Sequence, residues 1–147
     1  MNPLSVAPGE GRDFGFGMLC RIPSASTGGA YCAIEQTLAP GEGVDLHVHS
    51  RDDEMYYILE GRLDMQCDER KFSADAGAMV HIPRTVPHAF RNGSEVPVRF
   101  LNVFTPGGFD ELVAKLRALS PTDAAYGAKR EALSAEYGIR FLGPSGS

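Results

Sequence analysis

The chain reads as an all-β domain, a sandwich or small barrel, followed by two C-terminal helices. Three observations carry that reading. Short apolar runs of alternating character recur at close spacing between residues 18 and 106, separated by Gly, Pro, Asn and Asp turn signals. After Pro106 the period changes, and Phe109, Leu112, Val113, Leu116 and Leu119 recur three and four residues apart. Finally, 147 residues with 43% apolar and 22% charged side chains make one ordinary globular domain with enough material for a core. No apolar run approaches the ~20 residues that cross a bilayer.

Charge and cysteine content narrow the function classes. A net charge of −5 argues against a nucleic-acid surface. The N-terminus lacks the basic and apolar regions of a signal peptide, so a cytoplasmic protein is expected, with no membrane partner. Cys20, Cys32 and Cys67 are odd in number and lack metal-type spacing, which predicts reduced thiols facing a core or a sheet neighbour.

In chain order, residues 1–17 form an N-terminal arm rich in Gly, Pro and small polar types. Phe14 and Phe16, on one side of an extended segment, would anchor it to the barrel or to a second subunit. The barrel is expected over 18–106, with strands at Met18–Ile22, 30–38, 54–59, 63–67, Met79–Ile82, 89–91 and 96–104. In the second strand Cys32, Ile34, Gln36 and Leu38 alternate with Tyr31, Ala33, Glu35 and Thr37, giving one apolar and one mixed face. A helical extension covers 107–147. Gly107-Gly108 followed by Asp110 and Glu111 marks the start of its first helix. Ser120 as N-cap and Pro121 as first residue begin a second helix that runs to about Tyr137 and stops at Gly138. Residues 139–142 are apolar enough to dock back, and 143–147 should fray.

Two blocks carry the chemistry. In the first, His47 and His49 are two residues apart in an alternating segment, so on a strand both imidazoles face one side. Glu54 follows the polar run 50–53, and a hairpin there would return it beside the histidine pair. In the second block, residues 77–92, a short apolar strand and a proline-bounded turn lead to His88 at the head of another strand.

These blocks resemble the two motifs of the cupin family. The first, G-x5-H-x-H-x4-E-x6-G, is matched by Gly41, His47, His49, Glu54 and Gly61; the second, G-x5-P-x-G-x2-H-x3-N, by Gly77, Pro83, His88 and Asn92. The resemblance implies a cupin jelly-roll barrel with His47, His49, Glu54 and His88 as metal ligands on its inner wall. One position departs: Thr85 stands where the motif has glycine. Since a β-branched residue is costly at positive φ, the loop is expected to take another turn, with Pro87 holding Val86 extended. His81 matches no motif position and has the wrong parity for the site. The helical ending from Thr105 to Ile139 resembles that of quercetinase-like small cupins, in which helices flank the barrel mouth.

Three imidazoles and one carboxylate suit one divalent transition metal, Fe, Mn, Ni, Cu or Zn, and leave room in its coordination shell for water, O2 or substrate. Such a site carries a net charge near +1 and favours an anionic oxygen donor. Glu54 could serve as ligand, as catalytic base, or as both. By strand parity Tyr56 and Ile58 share the face of Glu54, and Phe90 and Asn92 that of His88. These four outline a substrate pocket for a small aromatic or cyclic molecule. Three functions are open: an oxygenase acting with O2 on a phenolic or enolic compound, a non-oxidative cyclase, isomerase or decarboxylase, and a binding module without turnover. Exposed sheet edges and the aromatic arm predict a homodimer.

Overall fold

Alternation along each strand sorts side chains onto two faces, and the inward faces of two antiparallel sheets meet in one core. The computed structural model describes residues 2–143. The six-stranded sheet runs, in spatial order, β1 (Arg12–Gly15), β2 (Met18–Ile22), β3 (Cys32–Leu38), β10 (Val98–Thr105), β5 (Asp53–Glu60) and β8 (Met79–Ile82). The five-stranded sheet runs β11 (Ile139–Gly143), β4 (Gly43–His49), β9 (His88–Arg91), β6 (Arg62–Cys67) and β7 (Arg70–Asp75). Between them Tyr56, Ile58, Leu63, Val98 and Phe100 are wholly buried. The rings of Tyr56, Phe90 and Phe100 pack with centroids 5.5–5.8 Å apart. This cluster closes one end of the barrel.

At the other end, a second cluster of Phe14, Cys20, Cys32, Ile34, Phe104 and Val113 joins the first three strands to helix α1 (Phe109–Arg117). The three cysteines are free thiols; Cys20 and Cys32 are buried and Cys67 partly so. Burial pushes the Cys20 and Cys32 thiols up to about 11 and about 12, so they are inert at neutral pH. Helix α2 (Tyr126–Glu136) follows, and β11 then returns the chain to the edge of β4, with Phe141 opposite His47. The apolar tail thus docks as a strand. From residue 144 the expected frayed end lies outside the described residues.

Several local expectations are corrected. The connection from β4 to β5 is not a hairpin, because β4 belongs to the five-stranded sheet and β5 to the six-stranded one. Residues 50–52 carry the chain across the barrel instead. Phe14 and Phe16 do not share a side: β1 pairs with β2, Phe14 is buried, and Phe16 has φ +52 in the tight turn and is 82% exposed beneath the Arg117 guanidinium. The second helix starts at Tyr126, not at Pro121. Asp123 interrupts it there, since its carboxylate accepts from the Ala125 N–H while its own N–H donates to Ser120 O. The Ser120 hydroxyl meets that of Thr122 and caps nothing. Strand β7 was not expected, its sequence RKFSAD having little apolar alternation; pairing with β6 along its length supplies what its own propensity lacks.

Thr85 gives the sharpest correction. It does not avoid the glycine conformation but adopts it, at φ +74, while its N–H donates to the His49 carbonyl at 2.7 Å. The tie to the histidine strand outweighs the local steric cost. Elsewhere the motif keeps glycine for cause: Gly61 has φ +79, and a Cβ there would lie 2.7 Å from Pro97 O. Thr85→Gly is therefore expected to stabilise the fold by about 1 kcal/mol, raising the melting temperature by about 3 °C without changing metal content. A lower melting temperature would show that Thr85 side-chain contacts outweigh the strain.

Candidate metal centre

The site draws on both sheets. The histidine strand β4 presents His47 and His49 two residues apart on its inner face, and β9 sets His88 directly opposite His47. Glu54 approaches from β5 in the facing sheet. All four side chains are at least 95% buried, and one ligand atom from each lies within 4.8 Å of the others.

Hydrogen bonding sets the tautomers. Each histidine Nδ1 faces an acceptor: Asp45 O at 2.8 Å for His47, Asp52 Oδ2 at 3.2 Å for His49 and Val86 O at 3.0 Å for His88. Nδ1 must then be the protonated nitrogen in the neutral rings, which leaves three bare Nε2 lone pairs turned inward. Tyr56 donates to Glu54 Oε1 at 3.1 Å, so that oxygen is held and Oε2 is turned toward the rings, 2.6 Å from His88 Nε2 and 3.6 Å from His49 Nε2. His88 Nε2 and Glu54 Oε2 are close but lack the alignment of a hydrogen bond, and both count as buried atoms without one. Buried orphan donors of metal-ligand type, converging from two sheets, are the arrangement a cation completes.

The electrostatics fit the same reading. Burial would raise the Glu54 carboxyl, but the surrounding imidazoles, His88 foremost, outweigh it and hold the group at about 2. Burial, with the neighbouring imidazoles, depresses His47 to about 4. Burial also works downward on His88, yet the Glu54 carboxylate outweighs it and raises this ring above the ordinary histidine range. Protons and metal compete for the same lone pairs, so affinity must fall with falling pH. Metal is expected to be retained at pH 7.5 and to dissociate as the pH drops below about 6.5. Chelator competition across that range would read the loss; full occupancy at pH 4 would contradict it.

His47, His49 and Glu54 line a cavity of about 440 Å³. Phe104 and Phe109 stack at 4.1 Å on one side, helix α1 adds Leu112, Val113 and Leu116, and Phe141 of β11 faces His47 at 5.7 Å. Helix α2 contributes Tyr126, Arg130 and Ser134. Among the described residues no helix is long and apolar enough to cross a membrane. The cupin domain model matches residues 34–104, which span all four convergent side chains. The crystal structure of Thermus thermophilus TT1209 superposes with a TM-score of 0.53 at 30% identity, covering 60% of this chain and 83% of that one.

The chain belongs to the cupin superfamily. Relatives of this cupin include the uncharacterised protein MJ1618 of Methanocaldococcus jannaschii, 38% identical over 48% of this chain and 61% of the relative. Quercetin 2,3-dioxygenase of Bacillus subtilis is 28% identical over 74% of this chain but only 33% of its own length. Polyketide synthase CurC of Streptomyces cyaneus is 32% identical over 47% of this chain and 45% of the relative. The chain thus spans about three fifths or less of these relatives.

The four residues outlined as a substrate pocket separate in this cupin. Phe90 lines the cavity. Tyr56 and Ile58 are wholly buried in the core, Tyr56 positioning Glu54 and Ile58 only packing. Asn92 is also wholly buried and clasps a turn, donating to Leu38 O and Val96 O. His81 is exposed on β8 opposite Met55, away from the site.

Three contributors escaped the sequence reading. Asp52 lies in the polar run 50–53, which reads as a turn, yet it is 95% buried and orients His49. Gln36 and Asn102 line the cavity and bond to each other at 3.1 Å. A signal for this pair existed: both occupy the inward, apolar phase of their strands, where an amide needs a reason. Asp52→Ala is expected to weaken metal affinity by about 10-fold or more, because a freed His49 ring must be re-ordered on binding. Metal titration of the folded variant would test this, with unchanged affinity relegating Asp52 to packing.

Proposed function

We propose that this cupin is a metal-dependent oxygenase that uses O2 on a small phenolic or enolic compound. The observation that carries the reading is the convergence of His47, His49, Glu54 and His88, the first three of which line an aromatic-walled cavity. The reaction type is supported by the Bacillus subtilis relative, itself a quercetin 2,3-dioxygenase. His47, His49, Glu54 and His88 would hold the metal. When bound, a divalent transition metal supplies a positive centre for an anionic substrate oxygen and, where redox-active, a path for electrons to O2.

This chain's own residues supply the rest. The Phe104–Phe109 stack offers a flat apolar wall to a ring, while α1 and α2 keep bulk water from the floor. Glu54 is ionised at neutral pH and fixed through Oε1, which leaves Oε2 turned toward the imidazoles as the anionic donor to the metal. Gln36 and Asn102 give the wall two amides for orienting a polar substituent.

The test is reconstitution of metal-free protein with Fe, Mn, Ni, Cu or Zn separately, followed by O2-uptake measurements with phenols and enols. Substrate-dependent O2 consumption with a redox-active ion, and none with zinc, is the expected result. Substrate conversion without O2 uptake would favour instead a non-oxidative cyclase-type reaction, the reading that the Streptomyces cyaneus polyketide relative supports.

A further inference from the structure

The two helices that roof the cavity present opposite chemistries to it. From α1 come Phe109, Leu112, Val113 and Leu116, the apolar stripe expected of a helix laid over an open barrel. From α2 the stripe that borders the cavity is Tyr126, Arg130 and Ser134, at i, i+4 and i+8 on one face, with Ser134 buried, Tyr126 half-buried and Arg130 exposed at the rim. A helix that served only as a cover would bury apolar side chains there. Ser134 turns its hydroxyl back to Arg130 O at 2.8 Å, leaving Tyr126 and Arg130 as the groups offered to the cavity.

Three arginines line this cavity, and two are engaged. Arg91 bonds Gly41 O and pairs with Asp45 at 3.1 Å. Arg117 donates to Phe14 O at 2.9 Å and lies over Phe16. Among the described residues no carboxylate pairs with Arg130; its guanidinium rests on the Phe141 ring, 5.1 Å from the centroid. The other face of that contact is the metal centre, since Phe141 also lies 5.7 Å from the His47 ring. An unpaired planar cation therefore stands at the exposed rim of the cavity, one aromatic ring away from the histidine cluster.

We propose that Arg130 is the specificity-determining residue for an anionic substituent on the ligand. The ligand would bring one oxygen toward the histidine cluster and a second, charged group to the α2 wall. Resting on Phe141 holds the guanidinium in place, so less side-chain freedom is lost on binding, and a carboxylate or other oxyanion fits its fork in a bidentate way. A neutral analogue of the same shape would leave that cation unpaired. The inference rests on reading this cavity as the substrate site, but not on the reaction being oxidative.

The test uses zinc-loaded protein, its zinc content measured first, and two probes of one shape, 4-hydroxybenzoate and 4-hydroxybenzamide. Calorimetric titration of wild type should show the carboxylate binding about 10-fold tighter than the amide. R130Q should lose that preference with zinc content unchanged. R130K, which keeps the charge but not the fork, should retain part of it. K129Q removes the same charge from the neighbouring position, where Lys129 pairs with Asp123, and should bind as wild type does. The proposal is overturned by equal affinities in wild type, by no measurable binding of either probe, by a preference that survives in R130Q, or by an equal loss in K129Q. Failure to load zinc would instead sink the metal reading, and absent O2 uptake in the reconstitution series would sink the oxygenase reading.

Discussion

Replacing His47 and His49 together by alanine is expected to leave a folded protein that no longer retains metal. The reason for the first half lies in the packing. Neither ring belongs to the two apolar core clusters, and His47 is held neutral at a cost that its deletion removes. The second half follows from the donor count: two of four convergent ligands go, leaving only Glu54 and His88, 2.6 Å apart. A loss on the order of 100-fold or more in affinity is expected, since even supporting residues of such sites are worth 10- to 100-fold. Elemental analysis of untagged wild type and variant would read it directly, with one equivalent falling to trace.

A thermal readout separates site from scaffold. Metal at 1,000 times its dissociation constant adds about 4 kcal/mol to a protein that binds it only when folded. Wild type should therefore melt higher with metal than without, and the double variant should melt at one temperature in both conditions. Equal metal-dependent shifts in the two proteins would place the ion elsewhere.

How much of this was legible in sequence depends on whether the governing interaction is local. Parity along a strand is local, and it set His47 beside His49 and both on the inner face. The motif spacings brought in Glu54 and His88. Sheet membership is not local: the polar run 50–53 suits a hairpin turn and a barrel corner equally well, and only pairing of β4 with β9 and β11 decides between them. Parity also proved blind to depth. Tyr56, Ile58, Phe90 and Asn92 all point inward as the alternation requires, but the barrel is filled at one end and open at the other, and only Phe90 among them borders the open end. Thr85 failed for a related reason. Its steric cost was readable, whereas the bond to His49 O that outweighs it comes from a distant strand. Arg130 needed the third dimension as well, because a helix stripe acquires meaning only once the surface it faces is known.

The roof over the site depends on one buried carboxylate, and its removal should cost the fold most. Asp110 follows Gly107-Gly108 at the start of α1, where an acid near a helix N-terminus would be favourable even if exposed. It is 93% buried instead and takes both donors of Ser24: the backbone N–H at 3.0 Å and the hydroxyl. Ser24 Oγ in turn accepts from the Gly108 N–H at 2.8 Å, and Gly107 donates to Gly29 O. The short helical turn Ser24–Thr27 and the first turn of α1 are thereby locked together. A side chain on Gly107 would strike Ser24 Oγ at 2.5 Å, so the glycine is what permits the approach. This junction sets where Phe109 lies on Phe104, and hence the aromatic wall beside His49. Asp110→Ala would leave two buried donors unpaired and is expected to destabilise by roughly 3–5 kcal/mol, each hydrogen bond to a charged group being worth about 1.5–3 kcal/mol. Denaturant titration would measure the loss. Because the metal ligands sit on strands and Asp110 on the roof, the variant should still bind metal while hydrogen exchange in α1 accelerates beyond that in β4 and β9. Uniform acceleration across the barrel would mean that the helix is not a separable lid but part of the core.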